Sequence, residues 1–162
     1  MLIKEAKEED FENIWPIFEE VVSAGDTYAF SKETSEIEGK RLWMKVPRKT
    51  FLVESEGEVL GTYYIKTNQS GPGNHVCNCG YMVPSYARGK GIASAMCEHS
   101  QKMAIKLGYV AMQFNFIASS NVGAIKLWKR MGFEIVGQLP RAFSHPTEGY
   151  IDALIMYKWL QT

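Results

Sequence analysis

The hydrophobic positions of this chain change their period several times, and each change marks an element. Leu2-Ile3-Lys4-Glu5-Ala6 can form a short first strand. From Glu8 the period becomes helical: Phe11, Ile14, Trp15, Phe18, Val21 and Val22 form one apolar stripe, which ends at Gly25-Asp26. Pro16 lies inside that stripe and predicts a kink or a split, because proline removes a backbone donor and crowds the preceding turn. Thr27-Tyr28-Ala29-Phe30 is an apolar-aromatic stretch in a loop, where Tyr28 and Phe30 either plug the edge of the core or wall a pocket. A second helix is expected over 34–46, acidic at its start and basic toward its end, with Pro47 helping to terminate it. Strands follow over 51–54 and 59–66, turned at Glu56-Gly57-Glu58, then a loop over 68–74 and a further strand over 75–83.

That strand ends at Pro84, and two glycines, Gly89 and Gly91, precede a new helical stripe of Ile92, Met96, Met103 and Leu107, with Ala93, Ser100 and Ala104 on the same face. Gly108 is a natural stop for this helix. Over 109–117 the pattern alternates, with Met112, Phe114 and Phe116 on one side and Gln113 and Asn115 on the other. Ser119-Ser120-Asn121 caps a helix bearing Val122, Ile125, Trp128 and Met131, which Gly132 ends. Two closing strands over 133–139 and 150–160 are joined by a segment over 140–149 that holds Phe143, His145 and Pro146. The order β, α, α, β, β, β, α, β, α, β, β predicts one α/β domain over 1–162 with a mixed rather than a purely parallel sheet.

Composition narrows the function without naming it. The 162 residues suffice for one domain with a real core, and 46% hydrophobic with 22% charged residues is ordinary for a globular protein. Lys+Arg and Asp+Glu are both 18, so a general nucleic-acid binder, which would be basic, is not expected. The three cysteines, Cys77, Cys79 and Cys97, do not make a disulfide framework. Cys77 and Cys79 share a strand face with only His75 nearby, too few ligands for a metal, so small buried side chains are expected and no metal. The N-terminus lacks the apolar run of a signal peptide and no stretch has the length of a membrane span; a cytosolic protein without a membrane partner is the expectation.

The strand–glycine loop–helix junction carries the chemistry. Glycines let the main chain approach a ligand, the start of a helix offers unpaired N–H groups and a positive dipole end, and Arg88 and Lys90 add charge, so the expected guest is a phosphate or diphosphate. Gly89-x-Gly91-x-x-Ser94 nearly fits a dinucleotide fingerprint, but the strand over 110–118 has no acidic residue to hold a ribose. Arg88-Gly89-Lys90-Gly91-Ile92-Ala93 resembles instead the R/Q-x-x-G-x-G/A signature of the GCN5-related N-acetyltransferases. Asn121-Val122-Gly123-Ala124-Ile125-Lys126-Leu127-Trp128-Lys129-Arg130-Met131-Gly132-Phe133 resembles that family's second signature.

The resemblance implies acetyl-coenzyme A as co-substrate and no metal. Its diphosphate would sit on the amides of Arg88, Gly89, Lys90, Gly91, Ile92 and Ala93, and its pantetheine arm would pair with the Met82 and Val83 main chain and with Asn121. The Val83 amide would polarise the thioester carbonyl. Trp128 stands where the family often has the tyrosine that protonates the departing thiolate, and indole cannot do this, so no general acid is assigned.

The acceptor implied is a small-molecule amine, an amino acid or an analogue of one. Asn78 and Asn115, amides inside apolar strands, are the catalytic and acceptor-binding residues expected, either lining the cleft or bonding strand to strand. Tyr28, Phe30 and His145 complete the expected acceptor site. His75 is the one residue of the strand over 75–83 with a basic pKa near neutrality, and reads as a strand-end surface histidine. Gly25-Asp26-Thr27-Tyr28, Asn78, Asn115 and Phe143-x-His145-Pro146 resemble fungal acetyltransferases of proline analogues such as azetidine-2-carboxylate, with the phosphinothricin-type enzymes as the competing subgroup. Acetylation of a protein N-terminus or lysine, and a non-catalytic coenzyme A sensor, are the alternative functions. Homodimers are common in the family, but no stretch of this sequence marks a dimer surface.

Overall fold

The computed structural model describes residues 1–160. Its elements are β1 (Leu2–Glu5), α1 (Phe11–Ala24), α2 (Glu36–Lys40), β2 (Lys49–Ser55), β3 (Glu58–Thr67), β4 (Val76–Met82), α3 (Ile92–Lys106), β5 (Ala111–Ala118), α4 (Val122–Arg130), β6 (Glu134–His145) and β7 (Gly149–Trp159), in the order the periodicity predicts. The strands form one seven-stranded sheet ordered β1-β2-β3-β4-β5-β7-β6. β4 and β5 run parallel, and the other neighbouring pairs run antiparallel, so the sheet is mixed as expected. No helix among the described residues is long and apolar enough to cross a membrane.

Helices cover both faces, and the central strands alternate between two cores. Phe51, Val53, Tyr63, Ile65, Cys77 and Cys79 join Ile92 and Met96 of α3 and Trp128 of α4. Leu52, Tyr64 and Met82 join Phe18 and other residues of α1 together with Trp43. Burial on both faces explains why 51–53 reads as an unbroken apolar run. The β2–β3 turn is tight because Glu56 and Gly57 both take positive φ, 51° and 79°, which matches the twist of the flanking strands.

The structure corrects four local expectations. α1 runs unbroken through Pro16, which lies on its exposed side. The helix expected over 34–46 starts at Glu36, where the Ser35 hydroxyl accepts the Glu38 N–H at 3.1 Å, and its last turn widens over Arg41–Lys45 into a π-type turn closed by the Val46 N–H on the Arg41 carbonyl at 2.9 Å.

In β5 a bulge between Phe114 and Ile117 breaks the alternation, so Ile117 joins Met112 and Phe114 in the α3-side core. Phe116 turns instead to Phe143, at 5.7 Å between ring centroids. One extra residue in a strand moves every later side chain to the other face. The expected connection over 140–149 is mostly strand: β6 continues to His145 through a bulge between Leu139 and Phe143, where Arg141 takes φ 53°. Asp152 of β7 holds that bulge, accepting the Arg141 N–H at 2.9 Å. This hydrogen bond and one from Gln138 keep the Asp152 carboxyl below the usual aspartate range.

Candidate active site

The site begins where the sheet comes apart. β4 and β5 pair only at Val76↔Ala111, Cys77↔Met112 and Asn78↔Gln113, yet β4 continues to Met82 and β5 to Ala118. Beyond Asn78 the two strands diverge without main-chain pairing. Asn78 fastens the closed end: buried, it donates from Nδ2 to the Gln113 carbonyl at 2.9 Å and accepts the Tyr64 phenol at Oδ1 at 2.8 Å. Of the two roles open to it, bonding strand to strand is the one these contacts describe. Past the closed end, Met82 turns its side chain into the α1-side core and Val83 packs against the α3-side core, so the main chain of both continues along the gap.

The gap leads to the glycine loop. A 3-10 turn over Ser85–Ala87 follows Pro84, and the Glu20 carboxylate of α1 accepts the Ser85 N–H at 2.8 Å and its hydroxyl at 3.1 Å. The Arg88 N–H closes this turn on the Ser85 carbonyl at 3.4 Å, so it is not a free donor as expected from the sequence. The next five differ. Among the described residues the N–H groups of Gly89, Lys90, Gly91, Ile92 and Ala93 meet no protein acceptor, and the first bond of α3 runs from the Ala95 N–H to the Gly91 carbonyl at 3.0 Å. Gly89 and Gly91 both take φ 76°, and nothing lies within 4 Å of where either side chain would start. Exposed Arg88 precedes this row of donors, and exposed Lys90 stands within it. A row of unengaged amides at a glycine-led helix start has the donors and the dipole end that suit an anion.

On the α4 side, the Asn121 Oδ1 caps the helix by accepting the Ala124 N–H at 3.4 Å, which leaves its Nδ2 free to donate. Trp128 is buried, with its ring 5.0 Å from Tyr81 and 5.1 Å from Phe114, so an indole rather than a phenol stands beside the splayed strands. Cys77, Cys79 and Cys97 are free and buried, and burial pushes the Cys79 and Cys97 thiols up, away from the reactive thiolate. His75 is exposed beside Trp159, the surface position expected of it.

The opposite, α1-facing side holds the acceptor candidates. The Tyr28 hydroxyl donates to the Tyr81 carbonyl at 2.7 Å, on the part of β4 that still pairs with β3 but no longer with β5, and its ring stacks on Phe30 at 5.7 Å. Phe30 also meets Phe18 at 5.7 Å, so Phe30 plugs the core edge while Tyr28 reaches the gap. Burial, with Tyr64 beside it, holds the Tyr28 phenol well above its ordinary pKa, so it stays protonated as a donor. Exposed Asn115 donates from Nδ2 to the Asn68 Oδ1 at 2.7 Å and accepts the Gln113 Nε2 at 2.9 Å. His145 stands apart from this group. Its Nδ1 accepts the Thr147 and Glu148 N–H groups at 3.2 and 3.1 Å, which ties it into the β6–β7 turn beyond the Phe143↔Ile151 pair.

Sequence reasoning passed over Tyr64, Lys66, Gly80 and Gln113. A side chain at Gly80 would start 2.5 Å from the Tyr64 ring and 3.1 Å from the Tyr28 hydroxyl, so its absence lets both phenols close over β4. An isolated glycine inside an apolar strand was the available signal.

The comparisons agree with this geometry. Residues 3–133 match the family model described as the acetyltransferase (GNAT) family. The chain is 33% identical over 109 residues to N-acetyltransferase aca1 of Schizosaccharomyces pombe, covering 65% of this chain and 51% of that protein, so it spans about half that relative's length. It is 26% identical over 156 residues to the L-amino acid N-acetyltransferase AaaT of Escherichia coli, covering 96% of each. The solved structure of a GCN5-related N-acetyltransferase from Kribbella flavida superposes with a TM-score of 0.92 at 38% identity, over 98% of this chain and 96% of that one. With the split strands, the free loop amides and a family match over most of its length, the chain belongs to the acetyltransferase (GNAT) family.

Proposed function

We propose that the chain binds acetyl-coenzyme A with its diphosphate on the N–H groups of residues 89–93 and its pantetheine arm along the β4–β5 gap, and passes the acetyl group to the amine of a small molecule, an amino acid or a near analogue. The carrying observation is a gap closed at Asn78 that joins unengaged loop donors to a face lined with amide side chains. The name of the Escherichia coli relative, an L-amino acid N-acetyltransferase, favours the same acceptor class.

When bound, acetyl-coenzyme A supplies an acyl carbon that an amine lone pair attacks with release of the free thiol. The Val83 N–H meets the negative charge that grows on the carbonyl oxygen. The free Nδ2 of Asn121 holds the pantetheine arm. β4 contains no Asp or Glu, and the phenols of Tyr28 and Tyr64 are held protonated by burial, so neither is a base at neutral pH. The amine therefore has to arrive neutral, and holding it in line supplies the acceleration. Trp128 gives no proton; a thiol of pKa about 8.5 departs as the thiolate when the C–S bond breaks, and the proton that the amine nitrogen loses on becoming an amide passes through solvent to that thiolate, giving the free thiol. With all three cysteines buried, and burial pushing the Cys79 and Cys97 thiols up, transfer is direct, in a ternary complex without an acetyl-enzyme.

The test is thiol release from acetyl-coenzyme A across free amino acids, their analogues, simple amines and peptides, with products identified by mass spectrometry. N-acetylated small amines are expected. Acetylation confined to peptides would overturn the acceptor assignment.

A further inference from the structure

Lys66 lies in the row that closes the gap. Lys66 pairs with Asn78 across β3 and β4, and Asn78 pairs with Gln113 across β4 and β5, so the three side chains share one face in one line across the sheet. Lys66 is half-buried, and its Nζ lies 5.3 Å from the centroid of the Tyr64 ring. The Tyr64 phenol is pinned by Asn78, which fixes the aromatic surface on which the ammonium rests. No ion pair among the described residues includes Lys66.

The neighbouring amides are ordered in one direction. Gln113 Nε2 donates to Asn115, and Asn115 Nδ2 donates to Asn68. The chain of amides therefore ends on the Asn68 NH₂, which meets no protein acceptor among the described residues, and Gln113 and Asn115 each keep a second N–H to offer. A cation without a counter-ion beside a surplus of N–H donors is a receptor for a carboxylate.

We infer that Lys66, with the Asn68–Asn115–Gln113 amides, anchors the carboxylate of the acceptor, so that the acceptor is an amine bearing a free carboxyl group. The inference rests on the small-amine reading above and adds the group that the enzyme recognises. In an α-amino acid a single carbon separates the amine from the carboxyl carbon. A carboxylate held at the Lys66–Asn78–Gln113 row therefore fixes the amine beside it, at the closed end of the gap.

The test compares an amino acid, its carboxamide and its decarboxylated amine as acceptors for the intact protein and for Lys66→Met and Lys66→Arg. The intact protein should favour the acid over both neutral analogues. Lys66→Met should raise KM for the acid about 10- to 100-fold, leave KM for acetyl-coenzyme A unchanged and abolish the preference, and Lys66→Arg should restore most of it. The inference falls if Lys66→Met keeps the preference, or if the intact protein acetylates the neutral analogues as well as the acid; in that second case the small-amine reading survives. Acetylation of peptides alone would sink both.

Discussion

Two asparagines of the same type do different work because of where the sheet places them. Asn78 is buried with both polar atoms engaged, whereas Asn115 is exposed and bonded only to other side-chain amides. Asn78→Ala would strand the Tyr64 hydroxyl and the Gln113 carbonyl, so it should cost about 1–3 kcal/mol of unfolding free energy by denaturant titration. Asn115→Ala should leave stability within about 0.5 kcal/mol and raise KM for the acceptor while sparing that for acetyl-coenzyme A. Equal loss for both substrates would move Asn115 to the donor side. At Gly91, with φ 76° and open space around it, Asp adds a negative charge among the loop donors at a backbone cost of about 1 kcal/mol. Gly91→Asp should weaken acetyl-coenzyme A binding by calorimetry at least about 100-fold while the circular dichroism stays that of the folded chain.

At the scale of elements, the glycine loop is not held by its own strand and helix alone. Glu20, on the face of α1 away from the core, grips Ser85 through two hydrogen bonds and so fixes the turn that aims the loop. Glu20→Ala should raise KM for acetyl-coenzyme A about 3- to 10-fold with little change in kcat, read from steady-state kinetics, because it loosens a binding loop without touching the reacting atoms. An unchanged KM would mean that the loop is rigid without α1. The bulges in β5 and β6 act at the same scale. One turns Phe116 out of the main core, and the other holds β6 against it through Phe143.

For the molecule as a whole, the two cores meet at the sheet, and α3 is keyed to it by a histidine. His99 Nδ1 lies 2.7 Å from the Tyr63 hydroxyl, and its ring packs edge-on to Phe51 at 5.2 Å. Burial, reinforced by Lys102 and Lys106, lowers the His99 pKa below its ordinary 6.5. The unfolded chain therefore binds this proton at a higher pH than the folded one. Stability should fall as pH drops from 6.5 toward the folded value, and be independent of this group above 6.5. Melting temperatures of the intact protein and of His99→Gln should converge as the pH falls through that window; parallel profiles would show that His99 does not carry the linkage.

The order of elements, the mixed sheet and the strand–glycine loop–helix junction were all legible along the chain, because these depend on local period and on glycine chemistry that neighbours in the chain enforce. The sequence showed Asn78, Asn115 and Tyr28 as polar groups in apolar surroundings, but not which of them would be spent on structure. That choice depends on which strands lie side by side and where their pairing stops, between Asn78↔Gln113 and the divergence of β4 from β5. Only the tertiary structure brought Lys66 into line with Asn78 and Gln113, set His145 into its own turn and drew the Arg88 amide back from the loop. Register across strands distant in sequence is a property of the assembled sheet, and no local pattern encodes it.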